Sequence, residues 1–263
     1  MEARTYLKNA LDAKKPGIGF WCTLPGSSTV ATVLATGGFN WTLIDAEHGM
    51  ITDKDYFELV TTVTSMGASP IIRIPWNEEW MIKRALDSGA QGVMTPMCHS
   101  AEDAKRIVSY SKYPPTGTRG YGPMFCPPVF GVKGSQYDAA ADDKLLVIVQ
   151  IESRAGIENV EEIAKVPGLD VLFIGPFDLA KQMNVQFGGD EHEAAIAKTL
   201  AAAKAAGKTA AIFCPNGQVA RKRLDQGFDM VSIAVDNACL AAEMERQMSF
   251  VTGTAGAGDR SYS

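Results

Sequence analysis

The fold class this sequence predicts is a closed, parallel (β/α)8 barrel of the TIM type, and three observations predict it. Short apolar runs rich in β-branched residues alternate with helical stretches eight times along the chain. The length of 263 residues suits one such barrel, which typically takes about 250 residues. Two successive runs, residues 145–152 and 171–178, each end in a carboxylate and are separated by a helical stretch from Ile157 to Val166. That order makes a βαβ unit, which sets the two strands parallel and adjacent, with Glu152 and Asp178 at one sheet edge.

The elements follow in order. Residues 2–14 read as an opening amphipathic helix, and residues 17–24 as the first strand. A helix from the N-capping Ser28 to Thr36 ends at Gly37-Gly38. Residues 41–48 form the second strand, and Thr52 or Asp53 caps a helix to about Met66. The third strand covers 70–76, with a helix from Asn77 to Ser88-Gly89. The fourth covers 92–97, and Ser100 caps a helix to Ser111. Strands five and six are those with the terminal acids; between them the helix is closed by Pro167-Gly168. A helix from Glu191 to Ala206 precedes strand seven, 209–214. A helix from Gly217 to Gln226 precedes strand eight, 230–236, and the last helix runs from Ala238 to Met248. No linker divides the chain, so residues 1–251 are expected to form one domain and the Gly/Ser-rich residues 252–263 a disordered tail. Residues 113–143, rich in Pro and Gly, read as a long loop of the kind that carries function.

Composition narrows the function. A net charge of −5 argues against nucleic acid or an anionic membrane as partner. No apolar run reaches the ~18 residues of a membrane span, and the N-terminus lacks the apolar core of a secretory signal. Five scattered cysteines without zinc-ligand spacing fit reduced thiols in a cytoplasmic protein. No lysine lies inside a strand, since Lys144 and Lys208 sit at strand beginnings. A Schiff-base mechanism therefore lacks its amine, and no glycine-rich phosphate loop follows strand seven or eight.

In such barrels the chemistry sits at the C-terminal strand ends. Those ends offer Trp21, Asp45, Glu47, His48, Arg73, His99 just beyond strand four, Gln150, Glu152, Asp178 and Asp236. Glu152 and Asp178 repel each other unless a proton or cation lies between them. Oxygen-only ligands suit Mg2+ or Mn2+, with Co2+ or Zn2+ as further candidates; the other reading is that both acids merely cap helices. His48 titrates near neutral pH and is the best acid/base candidate, with Asp45 three residues before it to orient its ring. His192 is placed at a surface helix start. Arg73, in an apolar strand, needs an anion. That anion is either a structural carboxylate such as Glu47 or charge developing on a substrate oxygen, and its place among the candidates favours the second. Gly175 permits close backbone approach, and the N–H groups of Phe177 and Asp178 suit a small anion such as a carboxylate. The chemistry implied is enolate formation from a 2-oxo acid.

The set of motifs resembles the HpcH/HpaI aldolase family, the metal-dependent class II pyruvate aldolases. The matching pieces are Gly19-Phe20-Trp21, Leu43-Ile44-Asp45-Ala46-Glu47-His48 and Ile72-Arg73 followed by Pro75-Trp76-Asn77. Further matches are residues 113–120, Val149-Gln150-Ile151-Glu152-Ser153 and Phe173-Ile174-Gly175-Pro176-Phe177-Asp178-Leu179. The resemblance implies Glu152 and Asp178 as metal ligands and His48, supported by Asp45, as the acid/base group. It implies Arg73 as the group that stabilises the enolate, and Gln150 with the backbone at Phe177 and Asp178 as contacts to pyruvate. It implies reversible cleavage of 4-hydroxy-2-oxo acids to pyruvate and an aldehyde. It also implies a barrel that swaps its last helix within a dimer, three dimers making a homohexamer. Fungal relatives such as macrophomate synthase, which decarboxylates oxaloacetate and couples its enolate to a pyrone, are similar too. Oxaloacetate decarboxylation or such coupling is therefore the alternative activity. Residues 121–139 depart from the family pattern.

Overall fold

The computed structural model describes residues 3–253. Eight strands close into one parallel barrel in chain order. They are β1 (Gly17–Cys22), β2 (Trp41–Asp45), β3 (Ser69–Arg73), β4 (Gly92–Thr95), β5 (Leu146–Ile151), β6 (Val171–Ile174), β7 (Thr209–Ile212) and β8 (Met230–Val235). Around them lie α1 (Tyr6–Asp12), α2 (Ser27–Leu34), α3 (Tyr56–Ser65), α4 (Glu79–Asp87), α5 (Ala101–Ser111), α6 (Cys126–Phe130) and α7 (Gly134–Lys144). The chain continues through α8 (Arg154–Glu158), α9 (Val160–Ala164), α10 (Pro176–Met183), α11 (Asp190–Ala205), α12 (Gly217–Asp225) and α13 (Asp236–Thr252).

The strands are buried on both faces, which is why they read as nearly continuous apolar runs. Two cores result. Outward residues such as Ile44, Ile72, Val93, Val147, Val149 and Leu172 pack under the helices. Inward residues such as Trp41, Leu43, Ile71, Met94, Ile148 and Phe173 fill the barrel itself. Trp41 fits because β1 carries Gly19 beside it: a Cβ there would lie 2.2 Å from the indole. Leu7 of α1 joins this inner core, and its N–H donates to Ser69 Oγ at 2.9 Å, so α1 plugs the N-terminal end.

The inward alternation continues past the apolar layer into polar residues. In β2 it runs Trp41, Leu43, Asp45; in β3 it reaches Arg73; in β5 it runs Ile148, Gln150, and then Glu152 just beyond the strand. The register sets Asp45 directly against Arg73 across β2 and β3.

The structure corrects five local expectations. Residues 113–143 are not a bare loop but contain α6, which buries Cys126, Val129 and Phe130, and α7, which buries only Tyr137 and Ala141. Arg119 anchors the stretch before them: it is 2 % exposed, lies over the Tyr113 ring at 4.5 Å and donates to Asp87 Oδ1 at 2.8 Å. Strand three stops at Arg73, short of Pro75-Trp76, and Asp178 belongs to the first turn of α10 rather than to a strand. His192 is 1 % exposed, not at the surface. The final helix reaches Thr252, with Gly253 as its left-handed cap. The remainder of the tail expected over 252–263 lies outside the described residues.

Beyond Asp236, α13 is exposed along its length, including Leu240, Met244, Met248 and Phe250. All five cysteines are free. Among the described residues no helix is long and apolar enough to cross a membrane.

Candidate active site

At the C-terminal mouth of the barrel lies a cavity of about 300 Å³. Trp21, Asp45, His48, Arg73, Gln150, Gly175, Phe177 and Asp178 all line it, together with Thr23, Pro176, Phe213, Val235 and Asn237. Glu152 lies against Gly175, one of these lining residues. Of the strand-end residues singled out from the sequence, Trp21, Asp45, His48, Arg73, Gln150 and Asp178 thus line one cavity, and Glu47, His99, Glu152 and Asp236 stand outside its lining. Phe213, Val235 and Asn237 were not singled out, although the same strand-end rule applied to β7 and β8 points to them.

Arg73 is the cation at the centre. Its Nε donates to Asp45 Oδ1 at 2.9 Å and its Nη2 to Asp45 Oδ2 at 2.7 Å, a bidentate pairing. Nη1 lies 2.9 Å from Glu47 Oε2 and donates to Gln150 Oε1 at 3.4 Å. The guanidinium stacks 4.3 Å over the Trp21 ring. In the structure the anions beside Arg73 are the carboxylates of Asp45 and Glu47. Asp45 is correspondingly committed: both oxygens meet Arg73, and Oδ1 also accepts the backbone N–H groups of Glu47 and His48 at 3.1 and 3.3 Å. Asp45 supports His48 through the backbone and not through the ring. The ring is mostly exposed, and its Nε2 lies 3.9 Å from Glu47 Oε1.

Glu152 is 2 % exposed. Its Oε1 accepts the Met97 N–H and its Oε2 the Gln150 Nε2–H, both at 2.9 Å. Met97 holds φ at 54°, a left-handed conformation in a residue other than glycine, and so aims its N–H at the acid. Gly175 leaves the room: a Cβ there would lie 2.1 Å from Glu152 Oε2. Burial pushes the Glu152 carboxyl up to about 8, against the Met97 hydrogen bond and the Arg73 charge, and Asp178 and Glu47 raise it further. Glu47 is likewise raised, by burial first. Asp178 itself is exposed at the rim, in the first turn of α10.

This donor set fits a hard divalent cation. A buried acid that holds its proton to about pH 8 in the company of other acids is stabilised as an anion by a nearby positive ion. Among the described residues no three His, Cys, Asp or Glu side chains are arranged around one point. Such an ion would rest on Glu152 and Asp178, with water or substrate oxygens completing its shell, as Mg2+ commonly does.

Two further residues define the site. His192 Nδ1 accepts the Gly188 N–H at 3.0 Å, so Nε2 donates to the Pro176 carbonyl at 2.8 Å. The ring also lies 5.0 Å from Phe187, which stacks on Phe177 at 4.7 Å. His192 therefore fixes the start of α10, where Phe177 and Asp178 stand. Asp236 is structural: its carboxylate accepts the N–H groups of Thr23 and Leu24 at 3.0 and 3.1 Å and the Thr23 hydroxyl at 2.6 Å. Burial raises the Cys98 and Cys214 thiols to about 12, which leaves them unreactive.

The model of the family described as HpcH/HpaI aldolase/citrate lyase matches residues 18–242. A hydroxypyruvate/pyruvate aldolase of Agrobacterium fabrum is 37% identical over 235 residues, covering 87% of this chain and 86% of its own. A 4-hydroxy-2-oxo-heptane-1,7-dioate aldolase of Salmonella dublin is 36% identical over 241 residues, covering 90% and 91%. The crystal structure of an HpcH/HpaI aldolase/citrate lyase family protein from Burkholderia cenocepacia superposes with a TM-score of 0.87 at 32% identity, covering 94% of this chain and 99% of that one.

The raised acid makes a stability prediction for the metal-free protein. Between the ordinary value of 4.5 and about 8, the folded state holds a proton that the unfolded state has lost. Stability then falls as pH rises through that window, by up to about 1.4 kcal/mol per pH unit for one proton, and levels off above it. Chemical denaturation from pH 5 to 9 is expected to show this decline, and Glu152→Gln to flatten it. Identical slopes for the two proteins would contradict the assignment.

Proposed function

The chain belongs to the HpcH/HpaI aldolase/citrate lyase family, and on that premise we propose that it is a divalent-metal-dependent carbon–carbon lyase. Its reaction would be reversible aldol cleavage of a 4-hydroxy-2-oxo acid to pyruvate and an aldehyde. The observation that carries this reading is Glu152, buried at the mouth of the barrel beside Gln150 and raised in pKa by burial, Asp178 and Glu47. A cation held by Glu152 and Asp178 would supply Lewis-acid polarisation of the 2-oxo oxygen. Mg2+ and Mn2+ suit these oxygen donors best, and Co2+ or Zn2+ are further candidates.

The protein's own residues account for the rest. The pyruvate carboxylate is placed at the start of α10, where the ladder begins only at Leu179 N–H to Gly175 O and the Asp178 N–H stands at the open end. Gln150, locked between Arg73 and Glu152, faces the same fragment. His48, exposed at the mouth, takes the proton from the 4-hydroxyl through a water. As the C3–C4 bond breaks, its electron pair stays on the pyruvate fragment and the aldehyde leaves. The oxygen that gathers this charge lies toward Arg73, which adds a hydrogen-bond donor with its orientation fixed by Asp45. A proton returned to C3 completes pyruvate.

Support for a homo-oligomer comes from α13, whose apolar residues Leu240, Met244 and Met248 are all more than half exposed. We read that face as packing on a second copy, in dimers that build a hexamer. Light scattering is expected to give a multiple of the chain mass and Met244→Glu to reduce it; a monomer in the unmodified protein would oppose the reading.

Exhaustive chelation is expected to abolish pyruvate release from a 4-hydroxy-2-oxo acid, with Mn2+ or Mg2+ restoring it. Full activity without metal would refute the mechanism. His48→Ala is expected to lower aldol cleavage by about 10²- to 10⁴-fold while leaving most oxaloacetate decarboxylation, which needs no hydroxyl proton removed. Equal loss of both activities would show that His48 does not act on the hydroxyl.

A further inference from the structure

Part of the cavity lining is a wall of rings. Trp21 and Phe213 meet edge to face at 5.0 Å, and Phe177 meets Phe213 at 5.8 Å. Phe177 is backed by Phe187, itself held against His192. Val235 continues the apolar surface. Each ring is fixed by its neighbours, so the wall is a preformed surface rather than a collection of movable side chains.

The polar side is short of positive charge. Among the described residues lining the cavity, Arg73 is the one arginine and there is no lysine. Its guanidinium is already engaged by Asp45 and Glu47. Four carboxylates, those of Asp45, Glu47, Glu152 and Asp178, stand at or just behind the cavity surface. With a divalent ion in place these acids still outnumber the positive charges by one, and a bound 2-oxo acid adds another negative charge. The neutral groups at the rim, Thr23 and Asn237, do not offset it.

We propose that the second reactant at this site is an uncharged aldehyde with an apolar body, and that aldehydes ending in a carboxylate are rejected. The inference deepens the aldolase reading and rests on it. In the synthetic direction C3 of pyruvate gives up a proton and bonds to the aldehyde carbon, while the aldehyde oxygen gains a proton. The substituent on that carbon has to lie along the wall of Trp21, Phe177 and Phe213. An alkyl or aryl group there leaves water for an apolar surface. A terminal carboxylate loses its hydration, meets no free cation and adds to an excess of negative charge.

The test uses the metal-loaded protein with pyruvate and two aldehydes of similar length, pentanal and 4-oxobutanoate. The new 4-hydroxy-2-oxo acid is followed by mass. Exchange of the pyruvate C3 hydrogens with deuterated water, which needs no aldehyde, is measured alongside. Pentanal is expected to give at least a tenfold higher kcat/KM than 4-oxobutanoate. Phe213→Arg, which sets a cation in the wall, is expected to shrink or reverse that ratio; Val235→Lys serves the same purpose should the first variant fail to fold. Exchange accompanied by equal or better use of 4-oxobutanoate would overturn the selectivity and leave the aldolase reading intact. Absence of both exchange and product with either aldehyde would overturn the two together.

Discussion

Too many carboxylates around too few positive charges is the condition on which this site depends. Glu152 is deep, Asp178 is at the rim, and Asp45 and Glu47 flank a single guanidinium. A folded protein tolerates such a cluster only by protonating part of it or by admitting a cation. The raised Glu152 carboxyl follows the first course. The surrounding structure serves to keep the cluster together against its own repulsion. Met97 is held in a left-handed conformation to donate to Glu152, Gly175 gives up its side chain to make room, and Gln150 ties Glu152 to Arg73.

The barrel brings these groups together through one geometric rule. Alternate residues of every strand face inward, so a strand that packs Trp41 and Leu43 into the core must present Asp45 next, and one that packs Ile148 must present Gln150 and then Glu152. Residues of one height in neighbouring strands then meet sideways, as Asp45 and Arg73 do. Arg73 consequently acts as a brace across β2, β3 and β5 besides lining the cavity. The apolar layer beneath it keeps water out and strengthens each charge interaction above.

Much of this was legible in the sequence, and the limits have physical causes. Strand identity was clear because a parallel barrel buries both strand faces, and the terminal acids marked the C-terminal edge. The family resemblance rested on those same strand ends, and the family match spans nearly all of them. What stayed hidden depended on partners distant in sequence. The nearness of Arg73 to Glu47 was open to guess, but its bidentate engagement by Asp45 appears only in the register of β2 on β3. His192, flanked by Asp190, Glu191 and Glu193, has the local appearance of a solvated helix start; only its hydrogen bonds to Pro176 and Gly188 show that it props the opposite loop. Residues 113–143 concealed α6 and α7 because Pro and Gly interrupt the pattern and α7 buries only Tyr137 and Ala141.

Asp236 has a consequence for how the chain must assemble. Its carboxylate fastens β8 to the end of β1 through Thr23, a residue 213 positions earlier. One side of β1 finds β2 almost at once, but the other side waits for the last strand. During translation that edge stays without its proper neighbour until the eighth strand of the barrel has emerged. An open strand edge recruits any other strand that reaches it. The crowded interval before the seam shuts is therefore when a newly made chain is most exposed to pairing with the wrong molecule.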